Sequence, residues 1–186
     1  MRRRVIIVAV ILVAVPWLWW MLPNSLYYRN RRPTKLGRAV NAFSAKLYSL
    51  GLLPSFLETL ETTGHRTGQP HSIPVVIGEH GGDHYIVSML GERSPSVRNV
   101  RAANGAAVLR RKRRRPVRLV EVPPDERAPM IKSYLGRAIG ARPHIPLDPN
   151  APLADFERIA GDYPVFRIEE DALEPVRVPS SLAARG

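Results

Sequence analysis

A glycine-marked, basic segment at residues 62–70 has the residue types of a phosphate-binding turn. It reads TTGHRTGQP. Glycines let backbone N–H groups approach an anion, Arg66 can donate charge-assisted hydrogen bonds, and the hydroxyl of Thr67 adds a neutral donor. The segment joins two β-like stretches, so a plain solvated turn is the alternative. The pattern predicts an anion-binding turn and leaves the ligand open.

A second basic segment, residues 88–101, joins the end of a strand to the start of a helix. It reads SMLGERSPSVRNVR. Such a junction presents backbone donors and the positive end of a helix to an anion. Arg98 and Arg101 are three residues apart and fall on one helix face. A solvated basic helix is the alternative, and the presence of the first segment favours binding.

The order and spacing of these two segments resemble the deazaflavin-dependent nitroreductase and quinone reductase family of actinobacteria. The resemblance extends from Leu57 to Ile168 and rests on residues 60–70, 74–76, 88–91 and 98–103. It implies a split β-barrel related to flavin reductases, binding of reduced coenzyme F420, and hydride transfer to quinones, nitroaromatics or similar small acceptors. We therefore expect an F420H2-dependent reductase.

The resemblance also implies which residues contact the cofactor. Arg66 and Thr67 would bind its phosphate and glutamate tail, and the backbone around Pro74 would lie against the deazaflavin ring. The other implied contacts are Ser88, Met89, Leu90 and Gly91, which would frame the cofactor, and Arg98, Asn99 and Arg101 on its phosphate side. Many relatives carry a tryptophan near Ser96 or Val97, and some carry a basic residue near Met89. This chain departs from the family at those positions.

The protein side chains need to supply little chemistry if the reactive carbon belongs to the cofactor. Tyr134 is the candidate proton donor for the reduced acceptor, because a phenol can donate a hydrogen bond and a proton. A tyrosine that packs in the core is the alternative. Two rival functions stay open: a reductase of the same fold that uses FMN, and a non-catalytic, membrane-tethered module that binds a cofactor or lipid.

No metal site is expected. His80 and His84 are separated by a glycine pair, which does not suit a helical metal-binding motif. The chain has no cysteine, which excludes disulfides and thiolate ligands.

Short β-like stretches separated by turn residues follow Pro54, which predicts a mainly β, α+β fold built on a small antiparallel barrel. The predicted strands are Leu57–Thr62, Ile73–Ile77, His84–Leu90, Ala106–Arg110, Val117–Val122 and Val165–Ile168. The predicted helices are Ser96–Ala103, Pro124–Leu135 and Leu153–Ala160.

An amphipathic helix is predicted from Thr34 to its end before Gly51. Its apolar stripe consists of Leu36, Val40, Phe43, Leu47 and Leu50 and is interpreted as a core-facing surface. A substrate-pocket lid or a membrane-lying helix is the less favoured alternative.

The N-terminal segment has the composition of a membrane anchor. Val5–Leu22 carries no charge and contains three tryptophans near its end, and a spanning helix needs about 20 apolar residues. More basic residues follow this segment than precede it, so the positive-inside rule predicts a cytoplasmic catalytic domain. We expect a single-pass protein of the cell membrane, with a signal peptide or an interfacial helix as the alternative. An anchored site favours quinones as acceptors. The predicted domains are residues 1–32, the anchor and basic flank; 33–56, a linker helix; 57–174, the barrel; and 175–186, a flexible tail.

The net charge of +12 is concentrated in two places. Residues 1–38 hold eight Lys or Arg and no acid, and the run Arg110–Arg115 holds six consecutive basic residues. Contact of this run with anionic lipid headgroups is the leading interpretation, a solvated turn is close behind, and nucleic acid is the least favoured. A homodimer is left open.

Overall fold

The computed structural model describes residues 24–29 and 32–170. The chain divides into two compact units, residues 1–38 and 39–186. The domain boundaries predicted from the sequence stay predictions.

Within the first unit, a helical turn at Asn24–Tyr27 precedes two very short strands. Tyr28–Arg29 and Arg32–Pro33 pair antiparallel. The hydroxyl of Thr34 accepts the backbone N–H of Gly37 at 3.0 Å. This is the bond of an N-cap, and it explains why helix α1, Lys35–Ser49, begins where the sequence predicts it.

A seven-stranded antiparallel sheet forms the centre of the second unit. In chain order its strands are β1 Leu57–Thr63, β2 Pro70–Val76, β3 Gly78–His80, β4 Asp83–Val87, β5 Ala106–Arg111, β6 Arg113–Glu121 and β7 Val165–Glu169. Across the sheet their order is β2-β1-β5-β6-β7-β4-β3. The two edge strands, β2 and β3, are separated by the single residue Ile77, so the sheet has to curl until its edges approach each other. This curled sheet fits the predicted split β-barrel.

Three further helices accompany the sheet: α2 Pro95–Ala102, α3 Arg127–Arg137 and α4 Leu153–Ile159. All three were predicted to within a few residues. The sequence prediction missed β3, because a three-residue strand next to a Gly-Gly turn is too short to show a periodic pattern.

Two apolar clusters hold the second unit together. One lies within the curl of the sheet and includes Leu60, Leu109 and Phe166, with Val97 and Val100 contributed by α2. The other packs α3 and α4 against the sheet, and its members include Tyr85, Ile131 and Phe156. Helix α2 is therefore fixed by burial, because Val97 and Val100 are 1% and 2% exposed.

The interpretation of α1 as a helix with a core-facing Leu36-to-Leu50 stripe is wrong. Leu36, Phe43 and Leu50 are 48%, 54% and 52% exposed, whereas Ser44 and Ala45 are buried. The buried side of α1 carries small residues because its backbone lies close to the sheet, where the hydroxyl of Thr59 donates to the carbonyl of Ala45 at 2.5 Å. Periodicity shows that a helix has an apolar stripe, but not which side the fold covers.

The predicted localisation, a single-pass membrane protein with a cytoplasmic catalytic domain, is contradicted. Over residues 24–29 and 32–170, no helix is long and apolar enough to cross a membrane. The proposed anchor itself, Val5–Leu22, lies outside the described residues.

Candidate functional site

The two basic segments lie at the same end of the sheet. Strand β1 ends at Thr63, beside the start of β5 at Ala106, and β4 ends at Val87, opposite the start of β7 at Val165. The segment after β1 is the loop Gly64–Gln69, and the segment after β4 leads through a turn into α2. Antiparallel pairing thus places both on one rim, which we call the site rim.

Asn99 connects the two segments. It lies on α2 and is 4% exposed. Its Oδ1 accepts the backbone N–H of His65 at 3.0 Å and lies 2.9 Å from the Nδ1 of the same histidine. Its Nδ2 donates to the hydroxyl of Thr62 at 3.3 Å. One buried amide therefore joins α2 to the end of β1 and to the loop that follows.

The loop Gly64–Gln69 is also closed by its own backbone. The N–H of Gly64 donates to the carbonyl of Gln69, and the N–H of Gly68 donates to the carbonyl of Gly64, both at 2.8 Å. The hydroxyl of Thr67 accepts the N–H of Gln69 at 3.3 Å. Arg66 is exposed and has no hydrogen bond or ion pair with any residue that the structure describes. Its guanidinium is available to a ligand.

The segment Ser88–Gly91 is a tight turn at the end of β4. The N–H of Gly91 donates to the carbonyl of Ser88 at 2.9 Å, and the hydroxyl of Ser88 donates to the carbonyl of Gly91 at 3.1 Å. Gly91 has φ +81°, a conformation that favours glycine. Ser88, Met89 and Leu90 are half-buried, and Met89 packs against the cluster of α3 and α4.

Arg98 and Arg101 differ in what they bind. Arg98 is exposed and uses one Nη2 bond, 2.9 Å long, to the carbonyl of Arg93. The guanidinium of Arg101 is committed to two carboxylates. Its Nε and Nη2 donate to the two oxygens of Glu121 at 2.8 and 2.7 Å, and its Nη1 and Nη2 donate to Glu92.

This ion-pair network fixes the rim to the end of β6. The hydrogen bonds from Arg101 lower the pKa of Glu121 more than its partial burial raises it, and Arg127 adds to the lowering. The same bonds raise the pKa of Arg101. Arg127 is 5% exposed and also donates to Glu121, at 2.9 Å. Arg101 is therefore a structural cation in this arrangement, and its assignment to the cofactor phosphate stays a prediction.

Pro74 and Tyr134 lie elsewhere in the fold. Pro74 is half-buried on edge strand β2, opposite Thr59. Tyr134 is 4% exposed and belongs to the apolar cluster of α3 and α4. That position is the one expected for a tyrosine that packs in the core, and its function as a proton donor stays a prediction.

The Arg110–Arg115 run is not a single free basic patch. The strand pairings Thr59 with Arg110 and Arg111 with Arg113 place its turn at the opposite end of β1 from the loop Gly64–Gln69. Arg114 lies 2.7 Å and Arg110 3.6 Å from Glu61, which is 6% exposed.

The buried acid of Glu58 neutralises a further member of the run. Arg115 donates to both oxygens of Glu58 at 2.8 and 2.9 Å and also pairs with Glu170. Three of the six charges of the run are therefore paired within the protein, and contact of the run with lipid headgroups stays a prediction.

Comparison with known proteins decides the family. Residues 31–139, more than half of the chain, match the family described as F420H(2)-dependent quinone reductase. The chain belongs to this family. It is an enzyme, an F420H2-dependent reductase, as the two basic segments and their resemblance predicted. F420 dependence is supported and the FMN alternative is not.

Solved structures are similar to the chain at low identity. An F420-H2 dependent reductase (FDR-A) is 22% identical over 63% of this chain and 96% of its own, with a TM-score of 0.41. An F420 reductase is 17% identical over 67% and 94%, with a TM-score of 0.39. A protein of unknown function from Agrobacterium tumefaciens is 15% identical over 77% and 58%, with a TM-score of 0.46. No curated protein matches the chain.

His65, Glu92 and Glu121 were missed as contributors to the rim. His65 stands inside the first basic segment, and its position next to Arg66 was the signal that could have indicated its contribution. Glu92 stands inside the second basic segment, nine residues before Arg101. Glu121 gave no local signal, because it is 20 residues from the arginine that it binds.

Proposed function

We propose that this reductase passes hydride from reduced F420 to a quinone, and that the site rim binds the cofactor through its phosphate. The observation that carries the proposal is the meeting of two basic, glycine-marked segments on one rim, joined by Asn99. Arg66 on the loop and Arg98 on α2 are both exposed and offer unused N–H donors to an anion.

The residues present fit a phosphorylated ligand. Arg66 would hold the phosphate, with the hydroxyl of Thr67 and the guanidinium of Arg98 as further donors. The turn Ser88–Gly91 would frame the cofactor, and Pro74 would lie beside its ring. When bound, reduced F420 supplies the hydride. The protein's share is to orient the two reactants and to keep water away from them.

Quinones are the proposed acceptor class because the family to which the chain belongs is described by that substrate. Nitroaromatic compounds are the second acceptor class to test. Flat, conjugated acceptors of both kinds would stack on a deazaflavin ring, so discrimination between them depends on the apolar residues around it. Met89 and Leu90 are the half-buried apolar residues of the turn.

The cofactor assignment is tested by replacing Arg66 with alanine. A charged hydrogen bond contributes ~1.5 kcal/mol or more, so we expect at least about tenfold weaker binding of F420 by calorimetry. The matched control is Arg158→Ala, which removes another exposed arginine, on α4, that pairs with Asp155. Equal affinity of Arg66→Ala and wild type would refute the proposed phosphate site.

The acceptor is tested by the oxidation of F420H2 in the presence of menadione, a nitroimidazole, or neither. We expect the higher kcat/KM with menadione. Turnover with the nitro compound alone would reject the quinone as acceptor, and tight binding without oxidation by either would reject the hydride-transfer step.

A further inference from the structure

We infer that Asn99 and His65 are positioning residues, which hold the loop Gly64–Gln69 in its anion-binding conformation before the cofactor arrives. This inference rests on the proposed phosphate site at Arg66. We call the group formed by Thr62, His65 and Asn99 the latch. It would set the affinity for the cofactor without contacting it.

The geometry of Asn99 favours positioning over direct binding. A side-chain amide has two acceptor sites on its oxygen and two N–H donors. Both acceptor sites of Asn99 face donors of His65, and one of its N–H groups is used by Thr62. The residue is 4% exposed, so one N–H at most is left for a ligand. The resemblance assigns Asn99 to the cofactor directly, whereas three of the four hydrogen-bonding positions of its amide are occupied by His65 and Thr62.

The latch is what fixes the loop relative to α2. Backbone hydrogen bonds such as the one from Gly64 to Gln69 close the loop on itself but do not connect it to α2. In the described part of the chain, the hydrogen bonds between the loop and α2 are those of His65 with Asn99. Arg66 follows His65 directly, so a shift of the His65 backbone moves the Cα of Arg66 with it.

Loss of the latch would let the loop leave its binding conformation. The apparent affinity for F420 then equals the intrinsic affinity multiplied by the fraction of molecules whose loop is in the binding conformation. Asn99→Ala removes a bond to the partly buried backbone N–H of His65, and we expect about tenfold weaker binding of F420. His65→Ala removes the ring contact and keeps the backbone bond, so its effect is expected to be smaller. The kcat with saturating cofactor is expected to change little, because the latch lies on the phosphate side.

A double-mutant cycle between Asn99→Ala and Arg66→Ala separates positioning from other functions. Without Arg66, the position of the loop matters less, so the loss in the double variant is expected to be clearly smaller than the product of the single losses. Binding of oxidised F420 is measured by calorimetry for wild type and all three variants. If the loss of F420 affinity in the double variant equals the product of the two single losses, the inference is overturned. Ala102→Ser, at an exposed position of the same helix, is the control and is expected to bind as wild type does.

Hydrogen exchange of the cofactor-free protein provides a readout that does not depend on activity. The backbone N–H of His65 is expected to exchange faster in Asn99→Ala, while amides in strand β7 keep their wild-type rates. Unchanged exchange at His65 would overturn the inference. If Asn99→Ala does not fold, His65→Ala takes its place in the cycle, since His65 is exposed. Failure of wild type to bind F420 would instead reject the proposed phosphate site and leave the exchange result standing.

Discussion

Replacing Arg101 with alanine separates the two interpretations of this residue, cofactor ligand and structural cation. Its guanidinium makes four hydrogen bonds to Glu92 and Glu121, and its side chain is 40% exposed. Exposed ion pairs contribute ~0.2–1 kcal/mol each, and the two-point geometry to Glu121 places that pair at the upper end. With solvent screening included, we expect a loss of about 1–2 kcal/mol in the free energy of unfolding. For a chain of this length that lowers Tm by about 2–8 °C.

The stabilisation that the Arg101–Glu121 pair provides is expected to decrease as the pH falls. The pKa of Glu121 is lower in the folded protein than the ordinary glutamate value, chiefly because Arg101 donates to it. Such a carboxylate stabilises the fold above its unfolded pKa, and that contribution is lost as the pH falls through the folded pKa. The difference in Tm between wild type and Arg101→Ala is therefore expected to be largest at about pH 7 and to shrink towards about pH 3.

The assay is thermal unfolding at several pH values, together with F420 binding at neutral pH. Arg158→Ala removes one exposed pair, with Asp155, and is expected to cost less than ~0.5 kcal/mol. Binding by Arg101→Ala is expected to weaken less than binding by Arg66→Ala. A variant with wild-type Tm at all pH values, and with affinity as low as that of Arg66→Ala, would show that Arg101 serves the cofactor.

Three further predictions concern the backbone and the core. Gly105 has φ +83°, and a Cβ there would lie 2.5 Å from the carbonyl oxygen of Leu119, so Gly105→Ala is expected to cost more than ~2 kcal/mol by urea unfolding. Gly136 lies in α3 with open space around it, so Gly136→Ala is expected to raise the free energy of unfolding by ~0.5–1 kcal/mol. A Gly105→Ala variant more stable than Gly136→Ala would contradict this account. Tyr134→Phe is expected to keep kcat within about twofold, because Tyr134 is buried in the apolar cluster; a larger loss would restore it as the proton donor.

Local patterns predicted the elements well. The strands around the two basic segments and the helix from Pro95 were predicted because alternation, glycines and prolines act over a few residues. The resemblance to the family followed from residues 60–70, 74–76, 88–91 and 98–103. The strand Gly78–His80 was not predicted, because it is too short to show a pattern. The covered side of α1 was predicted wrongly, because an apolar stripe does not show which side of a helix the fold buries.

The candidate site likewise combines features that the sequence predicted with features that only the fold decided. The sequence by itself determined that two basic, glycine-marked segments exist and that they suit a phosphorylated cofactor. Only the curled sheet decided that they share a rim, that Asn99 joins them, and that Arg101 pairs with two carboxylates whereas Arg66 pairs with no residue that the structure describes. The physical reason is that an ion pair or a buried hydrogen bond depends on strand register over long separations: Arg115 and Glu58 are 57 residues apart in the chain and 2.8 Å apart in space. Charge along a sequence is local, but the neutralisation of that charge is a property of the fold.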